Sequence, residues 1–339
     1  MGRVTVTKLV NLETYRENLK VICENVAPAE VMAVVKADGY GHGLIETAKA
    51  AEDSGVRILG VLDIESGITI RRAGVKTALF AWLHSPQSNF ELAVKAGIEL
   101  SVSSIQELNS IANAAGVAKV HLKLDTGLSR NGCRIENWEA LVSEAIKLQN
   151  QGAVQVVAIW SHLAGASNHD DRAALEVFEA GTEQAKSLGF NGYRHIASSP
   201  AAFALPEARL DLVRIGVSAF GTSPIAGTSS SELSLGNPLR LVTEVHSPGV
   251  ISIGYLHGYF STLSGKSKVA IAGSFYRVLQ VGPLASTIEP GPYEPGDEVL
   301  VIDDDPQSEL SAESLCEMVD TVTDELFTGL KANLTTYSG

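Results

Sequence analysis

The stretch Val31-Met32-Ala33-Val34-Val35-Lys36-Ala37-Asp38-Gly39-Tyr40-Gly41-His42-Gly43 joins an unbroken apolar run to a lysine and a glycine-rich segment. A short apolar run bounded by such a turn reads as a strand buried on both faces. A lysine at the end of that strand stands at a pocket mouth, where its amine loses a proton cheaply and can attack a carbonyl. The three glycines let backbone approach a ligand, and Tyr40 brings a hydroxyl one short loop away. A lysine snorkelling beside a turn would carry the same letters. The rest of the chain decides between them.

Eight short apolar runs recur, at 30–36, 57–62, 77–83, 98–102, 119–125, 154–161, 194–198 and 211–217. The segments between them have helical periodicity, as at 45–51 and 138–146. Strand and helix in alternation imply a parallel sheet, because parallel strands need crossover connections. Eight such units in roughly 215 residues match the count and size of a closed (β/α)8 TIM barrel. A doubly wound open sheet would instead gather its ligand residues at one switch point. Here polar residues close nearly every run. Lys36 ends the first, Lys123 and Asp125 the fifth, His162 the sixth, and Ser198 and Ser199 the seventh, while Arg214 sits in the eighth. In a barrel these ends meet on the one rim that carries active sites. Ser198-Ser199 and Gly216-Val217 fall on the last two strands, where barrels frequently bind phosphate, although a Ser-Ser pair before proline also makes a turn.

At 339 residues the chain suits two domains. After Gly221 its texture changes: residues 222–237 are rich in Ser, Thr, Gly and Pro, and β-type runs follow at 241–245, 268–272, 276–281 and 298–302. This predicts a barrel over 9–222 and a smaller, mainly antiparallel β domain over 223–339, joined by an N-terminal strand at 1–8. The net charge of -13, with no clustered Lys and Arg, argues against a nucleic-acid partner. No apolar run approaches a membrane span. Cys23, Cys133 and Cys316 show no CxxC spacing, so neither a disulfide framework nor a metal site is expected, and the cytoplasm is the expected compartment.

Several segments resemble those of alanine racemases, in matching order over about residues 3–325. Lys36 to Gly43 resembles that family's cofactor-lysine motif. Lys123-Leu124-Asp125-Thr126-Gly127-Leu128-Ser129-Arg130-Asn131-Gly132 is similar to its K-x-D-T-G-x-x-R-x-G stretch. Ser161-His162-Leu163-Ala164 resembles T-H-x-A, Val213-Arg214-Ile215-Gly216 with Phe220-Gly221 resembles V-R-x-G...Y-G, and Gly254-Tyr255-Leu256-His257-Gly258 resembles G-Y-x-D-G.

The resemblance implies a racemase of small amino acids, alanine by default, serving D-alanine biosynthesis. Lys36 would hold pyridoxal 5'-phosphate (PLP) covalently. Tyr40 would contact the cofactor, Ser199, Gly216 and Val217 would cradle its phosphate, and Arg130, oriented by a Lys123 that is often carbamylated in the family, would support its ring hydroxyl. Arg214 would donate to the ring nitrogen without giving up a proton, whereas a decarboxylase or aminotransferase more usually has a carboxylate there. Lys36 and Tyr255, on opposite faces, would exchange the α-proton. A free phenol titrates near ~10, so His162, held by Arg214, would assist Tyr255. Arg130 and Ala285 are the candidates for holding substrate, and Tyr259 is an alternative to Tyr255. The resemblance also implies a head-to-tail homodimer, with Tyr255 of one subunit completing the site of the other.

Departures from the family concern the substrate gate. Ala285-Ser286 stands where a Met-Asp pair is usual, Asp324 replaces a late tyrosine, and Ser198 stands where asparagine is common. Asp324 is expected to turn outward and widen the entrance. Serine as substrate and a degenerate, non-catalytic PLP-binding protein are the alternatives. A single-barrel PLP binder would need neither the second domain nor Tyr255. The signatures of the related decarboxylases are missing after His162 and Cys316.

Overall fold

The computed structural model describes residues 6–85 and 87–339. The chain forms two compact units: one holds Ile22–Lys36 and Ala51–Gly216, the other the segment up to Val21, Ala37–Ala50 and Val217–Gly339.

The first strand, β1, runs over Thr7–Asn11, later than the expected 1–8, of which residues 1–5 lie outside the described residues. Its inward alternation, Val6, Lys8 and Val10, continues past residue 8. The strand stops where the Asn11 side chain accepts from the amides of Glu13 (3.0 Å) and Thr14 (3.3 Å) and opens the helix Leu12–Val26.

Eight parallel strands then build the barrel: β2 (Glu30–Val34), β3 (Ile58–Val61), β4 (Ala78–Ala81), β5 (Ile98–Val102), β6 (Ala118–Lys123), β7 (Val154–Trp160), β8 (Tyr193–His195) and β9 (Leu212–Ile215). Each lies where an apolar run places it, mostly ending a little earlier, because the residues at the rim leave the ladder. Their order is β8-β7-β6-β5-β4-β3-β2-β9. The seam between β8 and β9 is joined by Arg214 N donating to Ala197 O (3.0 Å) and by a bridge between Ser198 and Arg214. Period-two alternation turns Ile98, Leu100 and Val102 to one face of β5 and Glu99 and Ser101 to the other. The same rule puts Lys119, His121 and Lys123 on one face of β6.

The C-terminal strands are β10 (Leu239–Ser247), β11 (Val250–Ile251), β12 (Lys268–Ile271), β13 (Ser274–Val281), β14 (Ser286–Ile288), β15 (Glu298–Ile302) and β16 (Leu334–Ser338). Antiparallel pairing runs β11-β14-β13-β12-β15-β10 and returns from β10 to β11, which leaves those strands without a free edge. β1 extends β10, and β16 adds to β1 in parallel. β11 and β14 are too short to show a pattern in sequence, and β16 is largely exposed. Among the described residues no helix is long and apolar enough to cross a membrane.

Candidate active site

Lys36 follows β2, whose ladder is prolonged by Val35 N donating to Gly60 O at 2.9 Å. The four residues after Lys36 form a left-handed turn, with φ between 50 and 59° and ψ between 41 and 52° from Ala37 to Tyr40. L-residues pay roughly 1–2 kcal/mol each in that conformation, and three of the four are not glycine. Compensation comes from Asp38, whose carbonyl accepts from Gly43 N (2.9 Å) and whose carboxylate accepts from Leu44 N (2.9 Å). Buried Lys8 donates to Gly41 O and Leu330 O, both at 2.9 Å, and His42 Nδ1 lies 2.9 Å from Tyr40 O. A Cβ on Gly39 would strike the Thr47 hydroxyl, and one on Gly41 the Phe327 carbonyl. These two glycines are therefore required by packing inside the turn.

On the barrel rim the structure brings Arg214 and His162 together. Arg214, 5 % exposed, donates through Nη2 to His162 Nδ1 (2.9 Å), Ser161 O (2.9 Å) and Ile196 O (3.0 Å). Burial lowers the His162 imidazole to about 3, helped by the positive charges of Arg214, Arg130, Lys123 and Lys36. His162 is thus neutral at physiological pH. Since Nδ1 accepts, Nε2 carries the proton. Burial also lowers Arg214 to about 9 and Lys123 to about 8, with like charges adding to both. Lys123 Nζ lies 4.2 Å from the centroid of the Trp160 ring.

Past Lys123 the chain makes an excursion closed by Cys133 N donating to Lys123 O and Asp125 N to Cys133 O, both at 2.8 Å. Its exposed tip carries Arg130, and Asp125 Oδ1 fixes the turn by accepting from Gly127 N (3.1 Å) and Ser129 N (3.0 Å). Across the β8–β9 seam, Ser199 Oγ accepts from Gly216 N at 3.3 Å, and Ser198 precedes the short helix Ser199–Ala204.

The other unit carries Tyr40, Val217, Tyr255 and Ala285. Tyr40 is buried against Phe220, with ring centroids 5.4 Å apart. Burial raises its phenol pKa and the charge of Asp324, itself half-buried, raises it further. Val217 opens the short helix Val217–Phe220, in which the Ser218 hydroxyl is buried without a partner among the described residues. Tyr255 is 48 % exposed on a turn whose amides bind the 282–285 loop: Tyr255 N donates to Gly282 O (2.9 Å) and Leu256 N to Pro283 O (3.0 Å). Ala285 O, in that loop, accepts from Gly282 N at 3.0 Å. Tyr259 is fully buried with its hydroxyl 2.7 Å from Ser267 Oγ, which removes it as the alternative to Tyr255.

Three residues near Arg214 escape a reading of the sequence by apolar runs: Glu99, His121 and His195. His195 Nδ1 lies 3.1 Å from Arg214 Nη1, His195 Nε2 lies 3.0 Å from His121 Nδ1, and His121 Nε2 lies 2.8 Å from Glu99 Oε2. Alternation along β5 and β6 was the signal that could have found Glu99 and His121. Among the described residues no cluster of His, Cys, Asp and Glu is arranged to hold a metal ion.

Residues 10–224 match the family model described as alanine racemase, N-terminal domain, and residues 240–337 the one described as alanine racemase, C-terminal domain. The alanine racemase of Salinispora tropica is 35% identical, over 94% of this chain and 94% of its own. The crystal structure of alanine racemase from D-cycloserine-producing Streptomyces lavendulae superposes with a TM-score of 0.93 at 29% identity, over 100% of this chain and 98% of that one. The alanine racemase of Bartonella henselae, solved with covalently bound pyridoxal phosphate, shares the fold at 21% identity, with a TM-score of 0.85 over 99% of each chain. With both domains and full-length relatives in agreement, the chain belongs to the alanine racemase family and is an isomerase that racemises amino acids.

Proposed function

We propose that the protein is a PLP-dependent racemase interconverting L- and D-alanine by two-base proton exchange at Lys36 Nζ and Tyr255 Oη. The observation that carries this reading is the Arg214–His162 pair, a buried donor-only guanidinium bonded to an imidazole that burial, helped by four surrounding cations, keeps neutral.

The residues fit the cofactor. Lys36, Lys123, Arg130 and Arg214 all act on His162, which makes this rim strongly positive and suited to a phosphate ester. Ser199 Oγ accepts from Gly216 N and keeps its own hydrogen for a phosphate oxygen. Lys36 would hold the cofactor covalently, Ser199, Gly216 and Val217 its phosphate, Arg130 its ring hydroxyl and Arg214 its ring nitrogen, with Tyr40 a further contact. When bound, PLP supplies an electron sink that acidifies the α-proton of an attached amino acid. Lys36 Nζ takes or returns that proton on one face and Tyr255 Oη on the other. The proton on His162 Nε2 would serve as a hydrogen-bond donor to the tyrosine oxygen of the partner subunit's site-completing loop. Arg214 cannot accept a proton, which restrains the sink and disfavours transamination. Arg130 and the backbone at Ala285 hold the substrate carboxylate.

Tyr255, Leu256 (55 %) and Leu284 (60 %) are exposed on two loops tied together, and such an apolar patch supports a homodimer with sites shared between subunits. The two family models, ending at 224 and starting at 240, support a division at 222/223. The unpaired cysteines 23, 133 and 316 support a reducing, cytoplasmic compartment. The charge of Asp324 at Tyr40 favours a second reading, in which a more polar amino acid such as serine is also a substrate.

Borohydride reduction of the purified protein followed by peptide mapping tests the assignment. The pyridoxyl group is expected on the Lys36 peptide and absent from Lys36→Ala. Retention in that variant, for instance on Lys123, would refute it.

A further inference from the structure

We propose that Glu99, His121 and His195 are positioning residues of the racemase site, forming a one-way hydrogen-bond chain through the barrel interior that holds Arg214 in a single orientation. The role assigned to Arg214 rests on the cofactor reading above. The direction of the chain does not.

The direction follows from what each group can do. A guanidinium has donors only, so His195 Nδ1 must accept from Arg214 Nη1 at 3.1 Å. Its proton then sits on Nε2, which faces His121 Nδ1 at 3.0 Å. That nitrogen must accept in turn, which leaves the His121 proton on Nε2, 2.8 Å from Glu99 Oε2. Glu99 ends the chain as the acceptor. Each tautomer is dictated by its neighbour, and both imidazoles are fully buried, so no water can substitute.

The surroundings close off the other arrangements. Phe80 stacks on His121 with centroids 4.0 Å apart, and Trp160 lies parallel to His195 at 5.6 Å, so neither ring can swing out. At the outer end Tyr193 Oη stands 3.4 Å from Glu99 Oε2 and 3.3 Å from His121 Nε2, and half-exposed Lys119 Nζ is 3.4 Å from Glu99 Oε1. Arg57 covers the Tyr193 ring at 5.0 Å, and Glu30 adds its charge to the same phenol. Burial lowers both histidines, with the charge of Arg214 acting in the same sense, which keeps them neutral. Burial alone would raise Glu99, but its contacts with His121 and Lys119 outweigh that and hold it ionised.

If His195 carried its proton on Nδ1, two donors would face each other and Arg214 would be pushed from its place. The chain makes that tautomer costly over its whole length. A barrel interior is ordinarily filled by branched apolar side chains, and a half-satisfied polar network there would be worse than none. This one is satisfied at every link.

The experiment uses the full-length protein with 15N-labelled imidazoles and reads tautomers from long-range proton–nitrogen couplings. Both His121 and His195 are expected neutral with the proton on Nε2. A charged ring, or a proton on Nδ1 of either, would overturn the proposal. Glu99→Leu removes the final acceptor. It is expected to leave both tautomers, which Arg214 dictates, unchanged and to weaken PLP retention about tenfold or more, the cost of a buried donor left unpaired. Glu99→Gln keeps an acceptor oxygen of the same reach and should restore retention, a rescue that a space-filling role would not show. Glu99→Leu with unchanged retention would also overturn it. Should that variant not fold, the wild-type tautomers and Glu99→Gln still decide. Wild-type protein with the expected tautomers but no uptake of PLP would count against the cofactor reading and support the direction of the chain.

Discussion

Acidification from pH 7.5 to 5 should cost the protein several kcal/mol of stability through histidines that are buried and neutral. Burial lowers His42 to about 4, with hydrogen bonds donated to the Tyr40 and Gly39 carbonyls opposing and Lys8 assisting, and it lowers His162 to about 3. An unfolded histidine titrates near ~6.5. The folded values are the lower ones, so the unfolded chain binds these protons first. The stabilisation is complete above about pH 6.5 and is lost as pH falls toward the folded values. At pH 5 each of the two costs about 2 kcal/mol, against a total stability of roughly 5–15 kcal/mol. His121 and His195, both lowered, act in the same direction. Glu52 and Glu99 are held below the ordinary carboxylate value and stay ionised across this window.

Urea unfolding followed between pH 7.5 and 5 measures the effect. Below pH 6 the free energy should fall by at least about 2.7 kcal/mol per pH unit, equivalent to two protons taken up on unfolding. If the two units unfold separately, His42 acts on one transition and His121, His162 and His195 on the other. Replacing His42 with Gln should remove about one proton from the slope, whatever it does to stability at pH 7.5. A wild-type slope under about 1.4 kcal/mol per unit would mean that fewer than one buried histidine stays neutral, and the reasoning would fail.

Tyr255→Phe should lower turnover at least ~100-fold while PLP is retained; exchange of α-deuterium from each enantiomer measures it, and equal activity would point to a single base. With Asp324 acting on Tyr40 and the Met-Asp pair replaced, alanine should show a high Michaelis constant and serine measurable turnover. Tight alanine binding with strict exclusion of serine would show that other residues rebuild the gate. Ala37→Gly, at an exposed site with φ 52°, should raise the urea midpoint by the equivalent of about 1 kcal/mol, and a loss of stability would contradict the left-handed turn.

The barrel strands were legible because each is a short apolar run closed by a polar residue, and parallel topology turns those endings into one rim. Lys36, His162 and Arg214 were found in that way. The interior chain was not, because Glu99, His121 and His195 are single polar letters inside runs counted as apolar. Only the alternation of Glu99 with Ser101, or of Lys119, His121 and Lys123, marks an inward face. The left-handed course of the turn after Lys36 was not legible for a different reason. Ala37 and Tyr40 have no local preference for left-handed backbone, and beside the local bonds of Asp38 what holds them there comes from Lys8, Phe220 and Phe327, distant in sequence.

Both features that escaped sequence reading cost stability, and both adjoin the proposed chemistry. Three non-glycine residues in left-handed backbone carry strain of roughly 1–2 kcal/mol each, directly after the lysine proposed to bind the cofactor. Two neutral imidazoles and an ionised carboxylate take the place of apolar layers in the barrel, beside the arginine proposed to face the ring. Neither makes sense as fold stabilisation, since an apolar interior and a right-handed helical turn would be cheaper. Each fixes one group in a single state: the path of the chain leaving Lys36, and the orientation of Arg214. A racemase has to present the same geometry to both enantiomers, and rigidity at these two points serves that requirement more than it serves stability. The steep loss of stability in acid expected above follows from the same choice, because imidazoles held neutral in the interior are what low pH attacks first.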